Sequence, residues 1–211
     1  MDFSLSDAQT ELAGLTRKIL AERGAPERQW ADLASAGVLA AGLPESLGGA
    51  GLGFLEQCSV LIELGRAVSP APYLASVVLG AGAIAAYGTP AQQRRWAAPA
   101  GTGSVVLTVA LAEEDGDDPS SPSTRADRTP GGWRLTGVKT VVPAAARADL
   151  LLVPASAADG VPVFLIEPAD HGVTVQPQAL TDLADAGRVV LDDVAVGDDR
   201  VGRKASCRER V

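Results

Sequence analysis

Ser104-Val-Val-Leu-Thr-Val-Ala-Leu-Ala-Glu-Glu-Asp-Gly-Asp-Asp118 divides the chain into two halves of different periodicity. Val105, Val106, Thr108 and Val109 are β-branched and favour an extended backbone. They predict a strand over Val105–Ala112, ended by Gly116 and Pro119. Upstream, apolar residues recur at helical spacing; downstream, short apolar runs alternate with turn residues. The run is therefore both a domain boundary and the first strand of a sheet. Its acidic end is the best candidate in the chain for one wall of a ligand site.

Working back towards the N-terminus, Ser6-Asp-Ala-Gln9 reads as a capping box that opens a first helix. Ala8, Leu12, Leu15 and Ile19 form its apolar stripe, and Gly24-Ala-Pro26 ends it. Gln29–Ala36 predicts a short second helix closed by Gly37. A third follows over Phe54–Arg66, with Leu55, Cys58, Leu61 and Ile62 as its stripe and Glu56 and Glu63 outside. Ser69-Pro-Ala-Pro-Tyr73 opens an Ala-rich helix to about Tyr87. Thr89-Pro-Ala-Gln92 caps the last, which ends near Trp96-Ala-Ala-Pro99.

Beyond the dividing run, strands are predicted over Trp133–Gly137, Lys139–Val142, Asp149–Val153, Val161–Ile166, Val173–Gln176 and Arg188–Leu191. Leu150-Leu-Leu-Val is a continuous apolar run, as in a strand buried on both faces. Asp115–Pro130 is polar and rich in Pro and Ser, and is expected to be a loop. The fold class is thus α+β: an all-helical domain over residues 1–102, then a β middle domain of barrel or sandwich type over 103–202. The segment 203–211 carries four basic residues and one acidic one, against seven and sixteen in residues 101–202. That switch, with no hydrophobic period, marks a tail foreign to the domain or disordered.

Composition excludes several functions. Eighteen basic against 26 acidic residues give a net charge of -8, so nucleic acid and anionic membranes, which need a basic face, are not expected partners. Cys58 and Cys207 are too few and too far apart for a disulfide framework, and a reducing cytoplasm is expected. The uncharged stretch within Ala67–Arg94 is broken by Pro and Gly and is mostly Ala, which suits a buried helix better than a membrane span. The N-terminus has no basic and apolar leader pattern. Gly49-Ala-Gly51-Leu-Gly53 lacks the preceding strand of a nucleotide loop and reads as an interhelical turn. The acids Glu113, Glu114, Asp115, Asp117 and Asp118 lack EF-hand spacing, and no metal site is expected. His171, in Asp170-His-Gly172, reads as a surface turn, and Trp30, Trp96 and Trp133 as packing residues.

The order of motifs resembles the acyl-CoA dehydrogenase family. The matching stretches are Pro44-Glu-Ser-Leu-Gly-Gly-Ala-Gly-Leu-Gly53, Tyr87-Gly-Thr-Pro-Ala-Gln92, Ala110-Leu-Ala-Glu113, Leu135-Thr-Gly-Val-Lys139 and Leu191-Asp-Asp-Val194, with Met1-Asp-Phe at the start. Val68-Ser-Pro-Ala-Pro-Tyr-Leu-Ala-Ser-Val-Val-Leu79 looks most like the actinobacterial branch that degrades sterol or bile-acid side chains. The resemblance implies a C-terminal four-helix bundle that carries the catalytic base. It also implies FAD between that bundle and the middle domain, and an acyl-CoA thioester as substrate. Residues 1–202 match the part before the bundle, so no catalytic base is assigned.

The resemblance further implies two flavin-contacting segments. One is a strand end that reads Thr-Glu-Pro in the family and Ala112-Glu-Glu114 here. The other is Trp-Ile-Thr or Trp-Ile-Ser, here Val141-Val-Pro143. The candidate cofactor-binding residues are therefore Leu111, Ala112, Glu113, Val141, Val142 and Pro143. Ala112 lacks the hydroxyl, and Pro143 has neither a hydroxyl nor an N–H to donate. Acids beside a pyrophosphate repel it by about 1 kcal/mol per close pair even in water. These departures imply the degenerate subunit of a hetero-oligomer whose homologous partner keeps the chemistry. The alternatives are a flavin-binding dehydrogenase with altered contacts, and a non-redox subunit that binds a CoA thioester or acts as a scaffold.

Overall fold

The computed structural model describes residues 4–22, 25–114, 116, 118–181 and 185–202. Met1-Asp-Phe3, Gly24, Asp115, Asp117, Cys207 and the 203–211 tail lie outside the described residues. Helices α1 (Asp7–Ala21), α2 (Pro26–Ser35) and α3 (Phe54–Arg66) come first. Helix α4 spans residues 73–87, wound as a π-helix over Leu74–Ala81 and as an α-helix over Gly82–Tyr87. Helix α5 spans residues 90–101, with a π-helical turn at Gln93–Ala97. Both expected capping boxes form. Ser6 Oγ accepts from the Gln9 N–H at 3.1 Å, and Thr89 Oγ1 accepts from the Gln92 N–H at 3.2 Å. No helix among the described residues is long and apolar enough to cross a membrane.

Among the described residues seven strands follow: β1 (Leu107–Val109), β2 (Arg125–Thr129), β3 (Gly132–Pro143), β4 (Leu150–Pro154), β5 (Val163–Ile166), β6 (Val173–Gln178) and β7 (Ala186–Val196). They form a three-stranded sheet, β1-β4-β5, and a four-stranded sheet, β2-β3-β7-β6. Among these pairings of named strands, β1–β4 is parallel and the others are antiparallel. The sheets do not close into a barrel; they pack against each other as in a sandwich.

Strand β4 explains the layering. Leu150 and Leu152 point to the helices, in a core with Ile84, Trp96, Leu107 and Val109. Leu151 and Val153 point the other way, packing with Leu135, Phe164, Val189 and Val194 between the sheets. All five β4 residues are buried, as the continuous apolar run predicts. A third core, with Leu33, Val60, Tyr73 and Val77, lies among the helices.

Several expectations need correction. The strand of the dividing run is Leu107–Val109, shorter than predicted. The two strands expected over 133–142 are one, bulged between Leu135 and Gly137 and between Lys139 and Val142. Part of the expected loop is β2, whose one buried side chain is Ala126. A polar edge strand carries no hydrophobic alternation to announce it. Helix α3 is rotated from its expected face: Ser59, Val60, Glu63 and Leu64 are buried, whereas Leu55 is 66% and Ile62 54% exposed. Cys58 is half-buried. The buried face packs Val60 and Leu64 into the helical core, and Glu63 is tolerated there because Arg17 grips its carboxylate with two bonds of 2.8 Å and Arg66 with one of 2.6 Å. In α1, likewise, Thr16 and Leu20 are buried and Leu15 is exposed.

Candidate functional site

The shelf after β1 is built by cross-links between the end of that strand and β3. The Thr140 N–H donates to the Ala112 carbonyl at 2.9 Å, which sets the two candidate segments side by side. Thr108 Oγ1 donates to the Pro143 carbonyl at 2.5 Å. Leu111 is 40% and Val141 44% exposed, Pro143 is exposed, and Val142 is buried. The structure thus brings all six predicted residues into one region, but not all with side chains open to a ligand.

Glu113 is the clearest case. Its Oε1 accepts from Lys139 Nζ at 2.6 Å, from Thr124 Oγ1 at 2.6 Å and from the Thr124 N–H at 3.0 Å. Its Oε2 accepts from the N–H and Oγ of Ser123, both at 2.5 Å. Lys139 is fully buried. Burial alone would push the Glu113 carboxyl up. The bonds from Lys139, Ser123 and Thr124 outweigh it and hold the group at about 2. The carboxylate is committed to the protein, so Glu113 offers a ligand only its backbone.

Neighbouring groups are also engaged. The Val141 N–H, turned sideways by the bulge, donates to Gln178 Oε1 at 2.7 Å, and Gln178 Nε2 donates to Thr140 Oγ1 at 3.1 Å. Glu114 pairs with Arg188 at 2.7 Å. The charges of Glu113 and Glu114 are therefore balanced locally, which weakens the repulsion expected from their sequence. Asp118 caps its own turn through the N–H and hydroxyl of Ser120.

Sequence reasoning missed Lys139, Ser123, Thr124 and Gln178. Lys139 carried a signal: Leu135, Gly137 and Lys139 share one face by the strand period of two, and a lysine facing inwards needs a carboxylate. Gly137 is small for the same reason, because a Cβ there would lie 2.5 Å from Thr124 Oγ1. Ser123, Thr124 and Gln178 are distant in sequence and carried none.

Pro143 and Ala144 also line a mostly apolar groove of about 250 Å³, closed on its other side by the start of α4 through Leu74, Ala75 and Leu79. Arg147 and Asp185 sit in the same lining, joined by an ion pair of 2.9 Å. Among the described residues no cluster of His, Cys, Asp and Glu has the arrangement to hold a metal ion.

The chain matches the family model for the acyl-CoA dehydrogenase N-terminal domain over residues 7–104 and that for the middle domain over residues 108–194. It is 40% identical over 210 residues to acyl-CoA dehydrogenase FadE27 of Mycobacterium tuberculosis, covering 93% of this chain and 55% of that protein. The ChsE4-ChsE5 complex of Mycobacterium tuberculosis has a similar structure, with a TM-score of 0.89, 39% identity, and 96% of this chain and 58% of that chain covered. A steroid ACAD, Tcur3481-Tcur3483, gives a TM-score of 0.84 at 36% identity and covers 95% and 57%. The chain thus spans little more than half the length of these relatives.

Proposed function

Because the chain belongs to the acyl-CoA dehydrogenase family, a family of oxidoreductases, we propose that it is part of the non-catalytic subunit of a heteromeric dehydrogenase acting on a CoA thioester. The observation that carries this reading is the shelf. A flavin ring presents a hydrogen-bonding edge and needs donors aimed at it. Pro143 has none, Ala112 lacks the hydroxyl, and the Val141 N–H is taken by Gln178. The residues of this chain therefore do not fit FAD.

Heteromery is supported by similarity to the ChsE4-ChsE5 complex, and a steroid-type acyl group by similarity to the Tcur3481-Tcur3483 steroid ACAD. In this reading the partner supplies the base and the flavin contacts, and this chain supplies a fold-compatible wall. The test is to assay the full-length protein alone and with its homologous partner. Dehydrogenation of a CoA thioester is expected only with the partner; turnover by the full-length protein alone contradicts the proposal.

A further inference from the structure

The side chain of Gln92 serves two parts of the fold. Its Oε1 accepts from the Thr89 N–H at 2.9 Å and so completes the capping box that opens α5. Its Nε2 donates to the carbonyls of Asp199 at 2.7 Å and Val201 at 3.2 Å, 107 and 109 positions away. The residue is buried. A glutamate would complete the box equally well, and the positive end of the helix dipole would favour its charge. What glutamine adds here is a pair of N–H donors, and both reach a segment outside the helix.

That segment, residues 198–202, is a strap across the junction of helices and strands. On the β side, the Gly202 N–H donates to the Val163 carbonyl at 2.8 Å, and Arg200 Nε donates to the Leu165 carbonyl at 2.8 Å. The Arg200 guanidinium also pairs with Asp170, and Val201 packs against the core between the sheets. On the helical side the strap is held by Gln92. Gln92 and Gly202 line an apolar cavity of about 330 Å³ together with Ile84, Tyr87, Leu152 and Val163.

We propose that residues 198–202 are a strap latched over this cavity, that Gln92 is the latch, and that losing its two donors lifts the strap and uncovers the cavity. Gln92 acts as a positioning residue: its role is to hold backbone carbonyls in place.

The experiment compares two substitutions in the full-length protein. Gln92→Glu keeps an acceptor for the Thr89 N–H and removes both donors to the strap. Thr89→Ala removes the other half of the box and leaves those donors in place. Amide hydrogen exchange reads the strap at the Gly202 N–H and the box at the Gln92 N–H, which donates to Thr89 Oγ1. Two carbonyls without partners should speed exchange at Gly202 by about 10-fold or more in Gln92→Glu, with the start of α5 unchanged. Thr89→Ala should show the reverse. The uncovered cavity should also raise the fluorescence of anilinonaphthalene sulfonate in Gln92→Glu and not in Thr89→Ala. Wild-type exchange at Gly202 in a folded Gln92→Glu protein overturns the latch. Faster exchange with no gain in dye fluorescence overturns the covering role. Should Gln92→Glu not fold, the wild-type protein decides: its Gln92 side-chain amide protons should be protected from exchange in NMR spectra, and exchange at the solvent rate overturns the proposal.

Discussion

At the scale of single residues, the decisive group is Glu113, which family resemblance places against a ligand and the fold places against Lys139. Removing one member of a buried pair leaves an uncompensated charge, and that costs roughly 3–5 kcal/mol. Lys139→Met is therefore expected to destabilise the chain by about that amount in urea denaturation. A loss below 1 kcal/mol would mean that the pair is solvated. The carboxyl also sets a pH dependence. It is held at about 2 against an ordinary value of 4.5, so its contribution is fully present above that value and disappears as pH falls from about 5 towards 2. Glu63 behaves alike, because Arg17 first and then Arg66 draw it down to about 2 against the opposing effect of burial. Stability measured between pH 6 and pH 2 should fall less steeply in Glu113→Gln than in wild type. Parallel curves would contradict the assignment.

At the scale of elements, helix positions and caps were legible where local chemistry decides them, and helix rotation was not. The two capping boxes are set within four residues each and form as read. The buried face of α3 includes Glu63, whose partner Arg17 lies 46 positions away, so a pattern confined to α3 pointed to the wrong stripe. Leu64→Ala should accordingly cost about 2–5 kcal/mol, as a large-to-small change in a core does, and Ile62→Ala only about 0.5 kcal/mol or less. Equal losses in thermal unfolding would argue for the stripe read from sequence. Val68 follows the C-cap of α3, where the Val68 and Ser69 N–H groups bond back to Gly65 and Leu64. Glycine is the usual residue at such a left-handed position. Val68 is 88% exposed, so its side chain contributes little packing. Val68→Gly is expected to raise stability by roughly 1 kcal/mol.

At the scale of the whole molecule, the division at Ser104–Asp118 carried the fold class, and the unbroken run at β4 announced a strand buried on both faces. Closure of the sheets was not legible, because strand spacing alone does not distinguish a barrel from a sandwich. The polar edge strand β2 was hidden by its own composition. Of the shelf, the six predicted residues do converge, yet their commitments to Lys139, Gln178 and Thr108 arise from pairings across 26, 37 and 35 positions. Those commitments underlie the proposal that this subunit does not itself hold the flavin. The most direct test is the FAD content of the isolated full-length protein, purified without its partner and read from visible absorbance and released flavin. The proposal predicts no bound FAD; one FAD per chain would contradict it.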